Sequence, residues 1–335
     1  MRRTTIRLED VAERANLVRA FRRAAAGKRL QSDVLEFEER FDDRIDQLGR
    51  QIRSNSVQVG RSFSFTIRDP KVRWIHAPIF EERVLHHALM AHVEPVIERY
   101  LVDDTFACRP EKGGLAAALR AQNHSRRFAW VLKLDIASYF ASIDHSVLRA
   151  TIRRRIKGAG VLRLIDRIIA GYEHEPGRGL PIGALTSQHF ANLYLAPLDR
   201  YLLEELRVGA MCRYMDDVMV WHRHREQAHE TLRVVEAFVG EALSLQVKSN
   251  WQIQRSRRGV TFCGFRVYPE VLRLSARRRR RYRAARRKWE NLYVNGEIDA
   301  AALQAGYASA LAITAGAEAR AFRRRDLEQR PPVEA

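Results

Sequence analysis

Apolar and polar positions change period several times along the chain, and each change predicts an element. Through residue 55 the chain is strongly charged. There Leu17, Phe21, Leu35, Phe37, Phe41, Ile45 and Leu48 recur at roughly helical spacing, which predicts amphipathic helices. Residues 62–67 alternate polar and apolar, the period of a half-buried strand; Asp69-Pro70-Lys71 supplies a turn and residues 72–75 the returning strand. A helical pattern resumes over residues 80–100. Next come a predicted strand at 130–134, a helix near 146–156 and a long helix from about 186 to 206. A second hairpin over 211–221 carries Asp216-Asp217 at its tip. A helix over 225–242 and strands near 251–254 and 260–267 follow it. After Pro269 a helical stretch is expected, with Asn295-Gly296 as the break between two helices. Strands and helices mixed in this order imply an α+β sheet domain with helices on one face.

Composition narrows the partners. The 335 residues are 46% apolar and 30% charged, a globular balance, and carry a net charge of +19. That surplus favours a polyanion, either nucleic acid or an anionic membrane surface. No apolar stretch follows the charged start, so a signal peptide is not expected. The charge-free run over 300–317 is mostly Ala and Gly, too weakly apolar to span a bilayer. Nucleic acid is therefore the expected partner, and the expected location is the cytoplasm. Three cysteines (Cys108, Cys212, Cys263) without a CxxC pair fit a reducing compartment and exclude a cysteine-built zinc site. His222 and His224 are too sparse for a metal site and read as solvated.

The acids suggest chemistry. An apolar strand ends in Asp135, and about eighty residues later Asp216-Asp217 stand between apolar arms. Adjacent acids in a hairpin that reads as buried repel each other, and divalent cations would offset that cost. One Asp on a strand end and two on a neighbouring hairpin tip can bridge two Mg²⁺ about 3.5–4 Å apart. Such ions activate a 3′-hydroxyl and neutralise the charge of an in-line phosphoryl transfer. A lone Asp after a strand is more commonly a cap or turn residue, and a bare pair a solvated turn; the joint pattern carries the reading.

Tyr214-Met215-Asp216-Asp217 resembles the YxDD box of reverse transcriptases, and residues 134–140 (Leu-Asp-Ile-Ala-Ser-Tyr-Phe) resemble their motif A. Residues 70–89 and 105–113 resemble the two fingers blocks, and residues 259–265 the primer-grip hairpin. With the block at residues 182–188 these make six ordered motifs, which span about residues 61–268. Most of the superfamily reads Gln-Gly-x-x-x-Ser-Pro where this chain has Ile182-Gly183-Ala184-Leu185-Thr186-Ser187-Gln188. That variant resembles the reverse transcriptases of diversity-generating retroelements. The stretch after 268 is short for the tail of a group II intron maturase, and the Asn-Ala-x-x-His element of retron enzymes is absent.

The resemblance implies an α+β right-hand polymerase: a helical N-terminal extension (1–60), interleaved fingers and palm with an antiparallel sheet (61–268), and a small basic helical thumb (269–330). It implies an RNA-directed DNA polymerase, a bacterial or phage-encoded enzyme that makes error-prone, adenine-mutagenic cDNA from a template-repeat RNA. Asp135 and Asp216 are expected to bridge two Mg²⁺ (or Mn²⁺). Asp217 is the weaker acid, and the Ile136 carbonyl completes a coordination sphere. Tyr139 is expected under the incoming sugar. Lys71, Arg73 and Arg109 are expected on the triphosphate or template, Ile182 and Gln188 at the nascent pair, and Lys248 near the leaving pyrophosphate. Residues 273–288 hold ten cations and no acid, so a helix there would repel itself unless phosphate answers it. Arg277, Arg278, Arg280, Arg281, Arg283 and Gly264 are accordingly expected to contact an RNA–DNA duplex. A small basic oligomeric accessory protein is the implied partner, beside template RNA and dNTPs. The alternatives are a generic group II-like or retron-type enzyme, serving phage defence for example, and a catalytically idle RNA-binding scaffold.

Overall fold

In the computed structural model, residues 3–68 and 72–333 are described. The turn with Lys71 lies outside them. Strand β1 (Thr4–Thr5) and helices α1 (Leu8–Val11), α2 (Arg14–Ala25), α3 (Ser32–Glu39) and α4 (Phe41–Arg53) come first. Strands β2 (Ser62–Arg68) and β3 (Val72–Pro78) precede helices α5 (Phe80–Glu98) and α6 (Gly114–Arg127). Strand β4 (Trp130–Asp135) leads to helices α7 (Tyr139–Ser142) and α8 (His145–Arg153), strand β5 (Ile156–Lys157) and helix α9 (Ala159–Ala170). Helix α10 (Leu185–Arg200) ends in a π-helical turn, Tyr201–Glu205. Strands β6 (Ala210–Tyr214) and β7 (Asp217–His222), helix α11 (Arg225–Leu243) and strands β8 (Gln252–Arg255), β9 (Val260–Phe262), β10 (Phe265–Val267) and β11 (Leu272–Leu274) follow. Helices α12 (Ala276–Val294), α13 (Ala300–Ala312) and α14 (Arg320–Gln329) come last.

These elements form two compact units. One contains Met1–Asp103, Ile136–Tyr201 and Val234–Lys248. It is mostly helical because its apolar residues recur every three to four positions. Phe21 packs on Phe37, Phe41 and Phe80 with ring centroids 4.9–5.6 Å apart. Leu35, expected on that face, is 44% exposed, because α3 buries Val34 and Phe37 instead. The β2–β3 hairpin pairs over seven residues. Its alternation predicted a half-buried strand, yet every residue of β2 is exposed. The Glu82 carboxylate accepts from the Gly60 and Arg61 amides at 3.0 and 2.9 Å and so fixes the hairpin's base.

The other unit contains Asp104–Asp135, Leu202–Arg233 and Ser249–Ala335. Its centre is an antiparallel sheet in the order β6-β7-β4-β8. Helices on one face were expected, but Leu132, Leu134, Val218 and Val220 are as buried as Val131, Met219 and Trp221 on the opposite face. The near-continuous apolar runs of β4 and β7 are the signature of burial on both sides. A second sheet, β11-β10-β9, shares a core with α6 through Phe262, Phe265, Val267, Ala117 and Ala121. His222, read as solvated, is buried, with Nε2 3.1 Å from Thr231 Oγ1; burial lowers its pKa.

The basic run departs from expectation at its start. Arg273 lies on strand β11, and the helix begins at Ala276, capped by the Ser275 hydroxyl. Arg286 on α12 is buried and pairs with Glu290 at 3.0 Å and Asp326 at 3.2 Å, while Arg283 reaches Asp326 at 2.5 Å. The expected Leu303-Tyr307-Leu311 stripe of α13 is rotated. Leu303, Gly306 and Ala310 face inward and Leu311 is exposed, because Gly306 lies so close to the Trp289 ring that no Cβ fits there. Among the described residues no helix is long and apolar enough to cross a membrane.

Candidate active site

Asp135 and Asp217 face each other at one end of the central sheet, and Asp216 lies in the adjoining turn. Asp135 closes β4 and pairs in register with Asp217 on β7. Residues directly opposite in an antiparallel ladder share a face, with Cβ atoms about 4.5–5.5 Å apart. Tyr214 pairs with Asp217, so Met215 and Asp216 make a two-residue hairpin loop. Met215 has φ 58°, the positive value that tight hairpin turns need and that glycine usually supplies. Arg213, fully buried, donates from Nη1 to the Met215 carbonyl at 2.9 Å. Its own backbone is held on the strand's outer side. The Arg213 amide donates to Asp104 O at 2.9 Å, and Arg213 O accepts from the Phe106 amide at 2.9 Å. The turn is thus clamped from side chain and backbone alike.

Lys133 stands two residues before Asp135, on the same face of β4. Its ammonium donates to Asp217 Oδ2 at 2.9 Å and to the Thr261 carbonyl at 2.6 Å. Burial and then the negative Asp217 push the Cys263 thiol up, and burial does the same for Cys212. Both shifts disfavour the thiolate, the form that binds metals. What remains near the turn is an all-oxygen donor set, the kind that Mg²⁺ and other hard divalent cations take. Among the described residues no three His, Cys, Asp or Glu side chains are gathered into a ready-made cage, and Asp217 is turned to Lys133. The carboxylates fit such cations by donor chemistry.

Other predicted site residues share this unit. Arg109 donates to the Thr105 carbonyl at 2.7 Å. Gly264 (φ 81°) forms the β9–β10 turn with Cys263 (φ 47°), and a side chain there would strike Arg278. Arg278 itself lies over the Phe265 ring at 4.3 Å and donates to Ala315 O at 3.2 Å. Arg277, Arg280 and Arg281 are exposed on α12, whereas Arg283 is engaged with Asp326.

The remaining candidates belong to the other unit. Ile136 is fully buried, and the following amide, of Ala137, donates to Gln246 O at 2.8 Å. Tyr139 is only 3% exposed and its hydroxyl donates to Ala191 O at 2.5 Å, whereas its neighbour Phe140 is half-buried. The Ile182 carbonyl accepts from the His76 amide at 2.8 Å. A Cβ at Gly183 (φ 123°) would meet His76 O at 2.9 Å, which explains glycine beside β3. Gln188 lies in the first turns of α10, Lys248 is half-buried just after Val247, and Arg73 is exposed on β3 opposite Ile67.

Reading the sequence missed Lys133, Arg213 and Phe140. Each had a signal. Lys133 is a cation inside an apolar strand at i−2 from an acid. Arg213 is a cation in a strand whose neighbours are all apolar. Phe140 offers a second ring beside Tyr139.

Residues 68–267 match the family described as "Reverse transcriptase (RNA-dependent DNA polymerase)". Protein YkfC of Escherichia coli (strain K12) is 25% identical over 194 residues, 54% of this chain and 46% of that protein. The group II intron-encoded protein LtrA of Lactococcus lactis subsp. cremoris is 28% identical over 140 residues, 40% of this chain and 23% of that protein. The chain thus spans less than half the length of these curated relatives. Apo telomerase from Candida Tropicalis shares the fold, with a TM-score of 0.51 at 10% identity over 81% of this chain and 60% of that one.

Proposed function

The chain belongs to the reverse transcriptase family, and from that premise we propose that it is an RNA-directed DNA polymerase of right-hand design. Residues 61–268 would be fingers and palm, residues 1–60 an extension, and 269–330 a thumb. The observation that carries this reading is the placement of Asp135 opposite Asp217, with Asp216 in the adjoining clamped turn, inside the matched region. Asp135 and Asp216 would hold divalent cations, with the Ile136 carbonyl beside them. When bound, such cations acidify a primer 3′-hydroxyl and neutralise charge on the α-phosphate of a dNTP.

The chain's own residues do the rest. Arg213 keeps the turn in one conformation, so the carboxylates are aimed before substrate arrives. Arg73, with Lys71 outside the described residues, would grip the triphosphate by charge-assisted hydrogen bonds, with Arg109 on the template. Burial of the Tyr139 hydroxyl against Ala191 favours the half-buried Phe140 as the ring that meets the sugar. Lys248 would serve the leaving pyrophosphate, and α12 would follow the duplex.

The finer reading is a retroelement enzyme that diversifies a target gene, with a basic accessory protein as partner. It rests on Ile182 and Gln188 in place of the family's Gln and Pro. An aliphatic side chain packs on a nascent pair but gives it no polar check, a loss of discrimination of roughly 1–3 kcal/mol. Sequenced cDNA from wild type and Ile182→Gln tests this: errors opposite template adenines should fall in the variant, and an unchanged spectrum sinks the subtype. The relatives matched favour a second reading, a group II-type enzyme, for which uniform and low error is expected.

A further inference from the structure

Lys133 lies between two elements distant in sequence. Its ammonium donates to Asp217 Oδ2 at 2.9 Å and to Thr261 O at 2.6 Å, and sits 5.9 Å from the centre of the Phe262 ring. Thr261 belongs to β9, which turns tightly through Cys263 and Gly264 into β10. The β11-β10-β9 sheet and the β6-β7-β4-β8 sheet are separate hydrogen-bonded sheets. Only the short link from β8 to β9 joins them along the chain, so side chains must help set their alignment. Phe262 and Phe265 share a core with Val131 and Met219, but apolar packing is non-directional and sets spacing better than register. The Lys133 bonds are directional and charge-assisted. Both ion-pair partners are only about a quarter exposed, at 21% and 24%, where such bonds exceed their surface strength. Volume alone would be met as well by methionine.

We infer that Lys133 is a positioning residue that locks hairpin β9–β10 to the acid turn, so that a strand end resting on the hairpin meets Asp135 and Asp216 in one register. That the strand end is a primer 3′ terminus rests on the polymerase reading; the lock itself does not. Asp217 then serves chiefly as the anion that holds Lys133.

Amide hydrogen exchange and primer kinetics on the full chain test this, with wild type, Lys133→Met, Lys133→Arg, Asp217→Asn and the double variant of Lys133→Met with Asp217→Asn. Exchange over residues 260–267 should quicken about tenfold in Lys133→Met and in Asp217→Asn, and no further in the double variant. Lys133→Arg should keep most of the protection. The KM for RNA-template–DNA-primer should rise about tenfold in Lys133→Met, with the KM for dNTP unchanged and Mn²⁺ binding, read by electron paramagnetic resonance, no weaker. Unchanged exchange over 260–267, additive effects in the double variant, or a loss confined to dNTP or Mn²⁺ would overturn the lock. Should Lys133→Met not fold, Asp217→Asn against Lys133→Arg decides by the same exchange readout. Wild type that extends no primer would overturn the polymerase reading instead, and the exchange data would still judge the lock.

Discussion

Arg213 is a guanidinium with no exposed surface, and its surroundings explain its retention. A non-glycine residue at positive φ costs about 1–2 kcal/mol, and Met215 holds φ 58° beside the acids. The Arg213 bond to the Met215 carbonyl offsets that strain and satisfies a carbonyl that would otherwise be freed. Arg213→Met should lower unfolding stability by roughly 1–3 kcal/mol, read as a lower urea midpoint at constant slope. Met215→Gly in that background should recover part of the loss. His87 on α5 makes a pH prediction. Burial, then nearby Arg23, His86, Arg83 and His189, push it from the usual 6.5 down to about 4. Between those values the unfolded chain binds more protons than the folded one, so falling pH favours unfolding. The stability it contributes is complete above pH 6.5 and is lost as pH falls towards 4. Urea midpoints of His87→Gln should therefore depend less on pH across that window than those of wild type.

At the scale of elements, α12 divides its cations between two tasks. Arg278 packs on Phe265, and Arg283 and Arg286 bind Asp326, which ties α14 to α12. Arg277, Arg280 and Arg281 are exposed and, on the proposed reading, would be the ones to meet phosphate. Replacing those three by alanine should weaken RNA–DNA binding and flatten its salt slope by roughly 0.9 per lost phosphate contact, with little change in melting temperature. Asp326→Asn should do the reverse, destabilising the protein while the salt slope holds. The helical period of α5, α10 and α12 and the hairpin of β6 and β7 were legible because each pattern is local. The exposure of β2 was not, since alternation marks two faces without saying that either is covered. The rotation of α13 depends on one close approach, Gly306 to Trp289, which no periodicity encodes. Of the candidate site, the acids were legible from their strand and turn context. Lys133 and the burial of Tyr139 needed the structure, because a hydrogen bond across 84 residues, or a hydroxyl buried on Ala191, is a tertiary fact.

Over the whole molecule, 59 Lys+Arg stand against 40 Asp+Glu, a net charge of +19. Fifteen of the 59 basic residues lie beyond residue 268, and several of them answer acids inside the fold. The remainder is spread along the chain, as an extended polyanion bound at several points would require. The acids lie in a single unit, on strands whose register brings Asp135 opposite Asp217. That register is the basis for proposing a polymerase over an RNA-binding scaffold. The most direct test is extension of a DNA primer on an RNA template with Mg²⁺, comparing wild type with Asp216→Asn and measuring duplex binding in parallel. Wild type should extend the primer, and the variant should bind the duplex equally well while extending about a hundredfold or more slowly. Wild type that binds but never extends, or Asp216→Asn that extends as fast as wild type, would contradict it.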